Sequence, residues 1–417
     1  MNELNSSKKL KILVVCQHYQ PEPYKLSDIC EALVAKGHEV TVVTGVPNYP
    51  YGYIYSDYKN GKRRVEDING VQVYRSFTIG RRKGMVFRLI NYYSFAWSSS
   101  LNVLLNRYKA ADGSDFDVVF ANQTSPVLMA SAAVAYKKKY KKNLVMYCMD
   151  LWPASLTAGG INPGHPVYKF FHWVSRRIYR AADTLLISSK SFEEYLVNEF
   201  DLNKETIHYQ PQYAEEVFDE EQLQVEEKET LDLMFAGNVG KAQDLITVLE
   251  AAKFFQSGDE WEQKVQFHIV GGGSELNSLK EYSQQNRLQN VHFYGEQPVE
   301  EMPDYYAKAD AMLVTLKGGT PISSTLPAKV QSYMAAGKTI IGAIDGDTEE
   351  VISRACCGAV GSAGDVSTLV ENIRHFSHLS LEDRVQLGRN ARAYYEQHFT
   401  KQRFIDDLEK YLETVSN

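Results

Sequence analysis

Two glycine-rich turns in the second half of the chain have the residue types of a phosphate site. Residues 231–252, LDLMFAGNVGKAQDLITVLEAA, read as a buried strand, a glycine turn and a helix. Residues 265–282, VQFHIVGGGSELNSLKEY, are built in the same way. Unpaired N–H groups and the positive end of a helix dipole suit an anionic ligand at such a turn. Either turn alone could equally be an ordinary strand-to-helix connection, but the pair predicts one nucleotide site.

Strand and helix patterns alternate along both halves of the chain and would position these turns. From Lys11, KILVVCQHY reads as a strand, SDICEALVAKG as a helix that Gly37 ends, and HEVTVVTG as a second strand. This unit predicts a parallel sheet, whose carboxyl edge lines a ligand crevice. The predicted domains are residues 1–205 and 229–395, joined by an acidic linker at 206–228. Further predicted strands are FDVVFAN, NLVMYCMD and TLLISS, then LMFAG, FHIVG, VHFYG, AMLVTL and TIIGAI.

Length and composition set the broad class of the protein. The chain has 417 residues, 44% of them hydrophobic, which allows two domains of about 200 residues each. Its five cysteines show no zinc-ligand spacing and follow no secretion signal, so we expect reduced thiols in the cytoplasm. No run of about 18 apolar residues occurs, so we expect a soluble chain or one on a membrane surface. The net charge of −7 argues against nucleic acid as a partner.

Charge is distributed unevenly in the first half. Residues 68–111 contain no Asp or Glu but many cations and aromatic side chains, and residues 151–182 also lack acids. Cations gain from the potential of an anionic lipid surface, and aromatic rings sit well at its interface. The alternative is that the apolar members face the core and the cations form a solvated face. The predicted membrane residues are Arg81, Arg82, Lys83, Phe87 and Trp97.

The whole chain resembles a family-four GT-B glycosyltransferase, in particular the bacterial capsule and O-antigen branch that includes fucosamine-type transferases. The resemblance rests on KILVVCQHYQPEPYKLSDICEALVAKGHEVTVVTG, CMDLWPASL, FAGNVGKAQDL, IVGGGSEL, VHFYGEQPVEEMPDYYAKADAMLV and LPAKVQSYMAAGKTII, in this order. It implies an α/β fold of two Rossmann-like parallel-sheet domains facing a central cleft, with a final helix at 396–417 crossing back to the first domain. It also implies retaining, metal-independent transfer of a sugar from a nucleotide diphosphate.

The donor residues that the resemblance implies depart from the wider family. Two donor-binding glutamates of most members align with Ser324 and Ser332, whose hydroxyls bond sugar oxygens more weakly than carboxylates do. The phosphate-binding Arg and Lys align with Asn238 and Gln243, which leaves Lys329 as the main candidate for the diphosphate. Lys241 is equally well a solvated turn residue. The full predicted donor set is Gly237, Asn238, Gly240, Lys241, Gln243, Gly271, Gly272, Gly295, Ser324, Lys329 and Ser332, with Lys329 also catalytic.

Chemistry in the first half centres on Asp150, where many relatives have His-Asp and this chain has Met149–Asp150. Asp150 could accept the acceptor's proton or hold sugar hydroxyls, but it could equally cap the turn DLWPAS. His18 and Trp152 are predicted to contact the acceptor. The sequence DGD at 345–347 is interpreted as a turn, and no metal is expected.

These features predict an enzyme that transfers an N-acetylated or deoxy hexose from a UDP-sugar to a polyprenyl-diphosphate-linked saccharide. The predicted pathway is capsule or O-antigen synthesis, at the inner face of the plasma membrane. No cofactor is expected beyond the nucleotide sugar. Two alternatives stay open: a degenerate sugar-nucleotide-binding subunit that assists a partner transferase, and a GT-B sugar-nucleotide epimerase.

Overall fold

The computed structural model describes residues 8–82, 84–218, 228–319 and 323–416. The chain divides into two compact units. The N-terminal unit comprises Met1–Ser188, Phe192–Gln210 and Ile405–Asn417, and the C-terminal unit comprises Ser189–Ser191 and Pro211–Phe404. The stretch 206–228, predicted as a linker, thus contributes to both units, and its residues 219–227 lie outside the described part.

Within its described residues, the N-terminal unit contains one eight-stranded sheet in the order β3-β4-β2-β1-β5-β6-β7-β8. Its strands are β1 Lys11–Val15, β2 Glu39–Thr44, β3 Val65–Ile68, β4 Val71–Arg75, β5 Val118–Gln123, β6 Asn143–Cys148, β7 Thr184–Ile187 and β8 Ile207–Tyr209. Its helices are α1 Leu26–Ala35, α2 Met85–Leu104, α3 Ser131–Tyr140, α4 Pro166–Tyr179 and α5 Ser191–Phe200. The predicted strands of this half are confirmed, and all pairs are parallel except β3 with β4.

The β3–β4 hairpin is a feature that the sequence interpretation missed. Asn69 and Gly70 connect the two strands with φ of 52° and 81°, which is the left-handed backbone that a two-residue hairpin requires. β4 then pairs in parallel with β2 and buries Val71 and Val73 in the core. The acid-free stretch 68–111 therefore begins as a core strand and is not a single surface.

Within its described residues, the C-terminal unit contains one six-stranded parallel sheet in the order β11-β10-β9-β12-β13-β14. Its strands are β9 Leu231–Ala236, β10 Val265–Val270, β11 Val291–Gly295, β12 Ala311–Thr315, β13 Thr339–Ala343 and β14 Gly358–Gly361. Its helices are α6 Ile246–Gln256, α7 Leu276–Gln285, α8 Met302–Lys308, α9 Ala328–Ala335, α10 Asp347–Ala355, α11 Val366–Ser377 and α12 Leu381–His398. The strands predicted in this half are confirmed.

Side chains cover both faces of this second sheet. Along β9, Leu233 and Phe235 belong to one buried cluster, while Met234 and Ala236 belong to the other. A strand buried on both faces reads as a continuous apolar run, which is why LDLMFA was recognisable as a strand. The two Rossmann-like parallel sheets have the fold class that the sequence predicts.

The last helix, α13 Lys401–Ser416, ends in the N-terminal unit. There Glu409 accepts hydrogen bonds from Lys36 at 2.7 Å and from the His38 ring at 2.8 Å. The other ring nitrogen of His38 accepts the N–H of Leu10 at 3.1 Å, so this histidine satisfies a backbone group close to the start of β2.

Candidate active site

The order of strands in the C-terminal unit reverses between β9 and β12. At such a point the connections on the two sides diverge, so the carboxyl ends of the strands leave room for a ligand. The segments that follow β9 and β12 are the glycine turn at 237–240 and the chain that leads into α9. Both segments carry residues of the predicted donor site.

The glycines of the two turns allow the turns to pack on one another. Gly237 donates its N–H to Val270 at 2.9 Å, and Val239 donates to Gly272 at 2.8 Å. A Cβ on Gly271, where φ is +139°, would lie 1.8 Å from the carbonyl oxygen of Gly237. The sequence attributes these glycines to a close approach by a ligand, but Gly271 is required for contact between the turns themselves.

Lys329 is the central cation of this region. It lies in the first turn of α9, with its ammonium donating to Gln243 Oε1 at 2.5 Å and lying 3.7 Å from the centre of the Phe235 ring. Burial lowers the pKa of Lys329 well below its ordinary value. Among the described residues, no carboxylate pairs with it. The structure thus brings Lys329, Gln243 and Gly237 together, since a Cβ on Gly237 would lie 3.3 Å from Lys329 Cε.

Gln243 is held by a short turn that the sequence interpretation did not predict. A 3₁₀ turn at Lys241–Gln243 separates the glycines from α6, and the helix predicted after the glycine turn is confirmed from Ile246 onwards. Lys317, just beyond β12, donates its N–H to the Ala242 carbonyl at 2.9 Å, and Thr315 donates its hydroxyl to the Gln243 carbonyl. These bonds fix the turn to the end of β12.

The remaining predicted donor residues are placed differently from one another. Asn238 and Lys241 are exposed, and a Cβ on Gly240 would lie 2.9 Å from Asn238 Nδ2. Gly272 is half-buried in the second turn. Gly295 ends the edge strand β11, two strands away from β9. Its carbonyl accepts the Gly271 N–H at 2.7 Å, so Gly295 supports the second glycine turn and not the β9 end directly.

Ser332 contacts a carboxylate that sequence reasoning missed. Its buried hydroxyl donates to Glu215 Oε2, from the stretch that the sequence assigns to a linker. Glu215 therefore places a carboxylate beside the position where the family resemblance leads us to expect one. Ser324 lies beside the start of α10, where its carbonyl accepts the N–H of Asp347 at 2.9 Å.

In the N-terminal unit, His18 follows β1 and forms a dyad with Glu22. The Nδ1 atom of His18 lies 3.0 Å from both carboxylate oxygens, and its ring stacks on Tyr24 with centroids 5.0 Å apart. Glu22 also accepts the N–H groups of Asn48 and Tyr49, at 2.9 and 2.7 Å. Glu22 was not predicted, although its spacing of four residues from His18 in QHYQPEP was a usable signal. The dyad fixes the orientation of the buried His18 ring through Nδ1, and the contact of His18 with the acceptor stays a prediction.

Asp150 follows β6 and is held by three neighbours. Ser155 donates its hydroxyl to Oδ1 at 2.5 Å, and the Trp152 indole N–H lies 3.2 Å from Oδ2 and 2.7 Å from Ser125 Oγ. Burial raises the pKa of Asp150 above its ordinary value, against the effect of these hydrogen bonds. The carboxylate thus fixes the local turn and is also tuned towards accepting a proton.

Trp152 does not have the geometry expected of an acceptor platform. Only 4% of its surface is exposed, and its ring packs edge-on against Phe171 with centroids 5.1 Å apart. Its indole nitrogen bonds Asp150 and Ser125, so Trp152 helps to position these two side chains, and its contact with the acceptor stays a prediction.

The predicted membrane residues lie on and before α2. Phe87 and Trp97 are exposed, Trp97 by 67%, and the guanidinium of Arg82 lies 5.9 Å from the Phe87 ring. Arg81 is half-buried and lies 5.6 Å from the Tyr92 ring, while Lys83 lies outside the described residues. The alternative of a core-facing role holds for other members of the stretch, because Tyr92 and Phe95 are buried. In the part of the chain that the structure describes, no helix has the length and apolar character needed to span a membrane.

Comparison with known families connects the two units to one activity. Residues 25–211 match the glycosyl transferase 4-like domain, and residues 217–394 match the glycosyl transferases group 1 family. The chain is a family-four GT-B glycosyltransferase. It is 25% identical over 428 aligned positions to WcaI of Escherichia coli K12, a provisionally assigned colanic acid biosynthesis glycosyl transferase, covering 96% of this chain and 100% of WcaI.

Solved structures share the fold of this glycosyltransferase at low sequence identity. Anabaena Alr3699/HepE, in complex with UDP and glucose, matches with a TM-score of 0.65 and 15% identity, over 97% of this chain and 100% of that one. WaaG, a glycosyltransferase of lipopolysaccharide biosynthesis, matches with a TM-score of 0.66 and 12% identity, over 96% and 99% of the two chains. The fucosamine-type branch stays a prediction.

The packing of the two turns predicts unequal effects of two neighbouring substitutions in this glycosyltransferase. Gly271→Ala should lower the free energy of unfolding by about 3 kcal/mol or more, because it adds a positive-φ side chain into the Gly237 carbonyl. Gly272→Ala is the matched control, since its nearest neighbour would be 3.4 Å away, and should cost less than about 1 kcal/mol. Denaturant unfolding measures both. Equal stabilities of the two variants would contradict the packing role.

Proposed function

We propose that this glycosyltransferase moves a sugar, N-acetylated or deoxy, from a UDP-sugar to a polyprenyl-diphosphate-linked saccharide, with retention and without a metal. Capsule or O-antigen synthesis at the inner face of the plasma membrane is the proposed setting. The observation that carries the donor half of the proposal is the Lys329 ammonium at the point where the strand order reverses. The relatives support the classes of donor and product, since HepE is in complex with UDP and glucose, WcaI is assigned to colanic acid biosynthesis and WaaG to lipopolysaccharide biosynthesis.

A diphosphate would supply the negative charge that the surroundings of Lys329 lack. A buried ammonium with no carboxylate partner is costly, and its place in the first turn of α9 sets it beside the positive end of the helix dipole. An anion placed there would interact favourably with both. Lys329 and the N–H groups of α9 would then stabilise the charge that develops on the leaving diphosphate.

The proposed reaction is a front-face displacement. The acceptor hydroxyl oxygen bonds to the anomeric carbon on the side from which the diphosphate oxygen leaves, so configuration is retained. The hydroxyl proton passes to Asp150, whose raised pKa suits a base. The UDP product carries the electron pair of the broken bond, and Lys329 balances its charge. Glu215, beside Ser332, would bond donor hydroxyls in place of the family's glutamate.

A degenerate subunit that assists a partner transferase is the second candidate, since serines replace two donor-binding glutamates. The carboxylate of Glu215 weakens that case. Incubation of the pure protein with a labelled UDP-sugar and a lipid-linked saccharide decides between them. Labelled lipid product supports the transferase, an epimerised sugar nucleotide supports an epimerase, and binding without turnover supports the assisting subunit.

The donor nucleotide can be identified by ligand-dependent stabilisation. We expect UDP-sugars to raise the melting temperature more than GDP- or ADP-sugars do at equal concentration, because only a ligand that binds the folded state stabilises it. Thermal shift across a panel of nucleotide sugars measures this. A larger shift with a GDP-sugar would overturn the uridine assignment.

Lys329→Met should weaken binding of the UDP-sugar by roughly 1.5–3 kcal/mol, the scale of a hydrogen bond to a charged group. Methionine keeps the apolar stem over Phe235 but removes the charge. Lys241→Met, at an exposed lysine of the 3₁₀ turn that carries Gln243, is the matched control and should cost less. Isothermal titration calorimetry gives both affinities, and an unchanged affinity in the Lys329 variant would refute its role at the diphosphate.

The same titration has a pH dependence with a fixed sign. Burial lowers the pKa of free Lys329, and a bound diphosphate should raise it, so binding takes up a proton between the two values. Affinity should therefore fall as pH rises through that interval, and Lys329→Met should abolish the change. Titrations in buffers of different ionisation enthalpy count the protons taken up.

We propose that the N-terminal unit docks on anionic membrane through the start of α2, because its lipid-linked acceptor cannot leave the bilayer. The exposed rings of Phe87 and Trp97 and the cations before α2 supply insertion and charge together. On α4, exposed Phe170 and Trp173, with Arg177 3.7 Å from the Trp173 ring centre, form a second patch of the same kind.

Reversing three charges should release the protein from anionic vesicles. At about 1 kcal/mol per cation, the variant Arg81→Glu, Arg82→Glu, Lys83→Glu should lose flotation on phosphatidylglycerol vesicles at low salt. The matched control reverses Lys253, Lys264 and Lys280, exposed lysines of the C-terminal unit, and should float like wild type. If wild type does not float, or if the first variant floats equally well, the docking proposal is wrong.

A further inference from the structure

A cavity of about 610 Å³ lies in the N-terminal unit between the β3–β4 hairpin and the second half of α2. Its size is that of a pocket for a small organic ligand, which typically measures roughly 300–1,000 Å³. Two kinds of side chain dominate the wall, aromatic rings and guanidinium groups. Its main lining residues are Arg64, Tyr74, Phe77, Trp97, Arg107 and Tyr108.

The charge of this pocket is positive. Arg64 donates to the Arg75 carbonyl at 3.2 Å and Arg107 donates to Asn102 Oδ1 at 3.1 Å, and among the described residues neither pairs with a carboxylate. Arg75, also in the wall and 4% exposed, pairs with Glu66 at 2.9 Å, but its Nη1 has no hydrogen-bond partner in the described part of the chain. Burial lowers the pKa of Arg64, although a guanidinium stays charged. The pocket therefore suits an anion.

The polar floor of the pocket is already organised. Asn102 donates to the Tyr108 hydroxyl at 3.0 Å, and that hydroxyl lies 2.6 Å from Ser76 Oγ. The Tyr74 and Tyr108 rings meet edge-on with centroids 5.5 Å apart. A wall held in this way presents a fixed shape, which lowers the ordering cost of binding.

An apolar stripe on α2 runs into this pocket. Its members recur at spacings of three, four and seven residues, which places them on one helix face, and each is at least 38% exposed. Trp97 belongs to both the stripe and the pocket wall. Aliphatic side chains in the stripe fit acyl chains and not the polar rings of a saccharide. The stripe consists of Val86, Ile90, Tyr93, Trp97 and Leu104.

We infer that this pocket binds one anionic phospholipid, with the phosphate between Arg64 and Arg107 and the start of an acyl chain against Trp97 and Phe77. Guanidinium groups bind phosphate with paired, charge-assisted hydrogen bonds. The inference rests on the proposed membrane docking for its setting, but the pocket can be tested without a membrane. A lipid bound here would fix the orientation of α2 on the bilayer. A diffuse positive surface would attract the protein to the bilayer without fixing that orientation.

The test uses dihexanoyl phosphatidylglycerol below its critical micelle concentration, titrated into the full chain by calorimetry. Arg64→Gln with Arg107→Gln should weaken binding by roughly tenfold or more, while Arg88→Gln, an exposed arginine of the same acid-free stretch outside the pocket, should change it less than about twofold. Glycerol 3-phosphate should bind at least roughly tenfold more weakly than the lipid, because it lacks the acyl chains. Unaltered thermal unfolding of each variant shows that the fold is kept.

Tryptophan fluorescence locates the ligand. The lipid should change the emission of wild type and of Trp173→Phe, whose indole lies on α4, and should change little in Trp97→Phe. If wild type does not bind the soluble lipid, or binds glycerol 3-phosphate equally well, or if the double arginine variant binds like wild type, the pocket proposal is overturned. If the pocket proposal fails in this way but the protein still floats on vesicles, the docking proposal stands. If the soluble lipid binds but the protein does not float, only the docking proposal is refuted.

Discussion

A lysine buried without a carboxylate partner is the constraint around which the proposed donor site is organised. The Lys329 ammonium has two neighbours that partly offset its desolvation, the Gln243 amide oxygen and the face of the Phe235 ring. Neither of them carries a negative charge, and the first turn of α9 adds a dipole of the wrong sign. A folded chain keeps such an arrangement at a cost, which a bound diphosphate would offset.

The glycines around this lysine are needed for packing within the protein itself, independently of any ligand. Gly237 leaves room for the Lys329 stem, because a Cβ there would approach Cε to 3.3 Å. Gly271 lets the second turn lie on the carbonyl of Gly237, and the bond from Val239 to Gly272 joins the turns. The rigid position of Gln243, tied through its turn to β12, then holds the ammonium in place. The chain of contacts thus runs from sheet to turn to lysine.

The sequence predicted the parts of the fold that depend on local apolar runs. Most predicted strands are apolar runs that the sheets bury, so their composition is diagnostic, whereas the edge strand VHFYG is only partly buried. Glu215 was missed because its role depends on Ser332, 117 residues away, and no local pattern connects them. The β3–β4 hairpin has a recognisable turn signal at Asn69–Gly70, but its short strands lack the long apolar run of the parallel strands. The burial of Trp152 could not be predicted, because the sequence gives the type of a side chain but not its packing.

The acid-free stretch shows why composition is a weaker guide than periodicity. Its aromatic and charged residues divide between two environments: Tyr92, Phe95 and Val103 face the core, while Val86, Ile90 and Trp97 lie on the opposite side of the same helix. A helix that is apolar on two faces buries one face against its own sheet, and the other face is buried only by an apolar medium or ligand. The arginines divide in the same way, since Arg75 is buried and paired with Glu66, while Arg107 is exposed in the wall of the pocket. The outward face of α2 therefore needs a partner that covers its apolar side chains. A phospholipid would cover this apolar area and also pair with the arginines of the pocket.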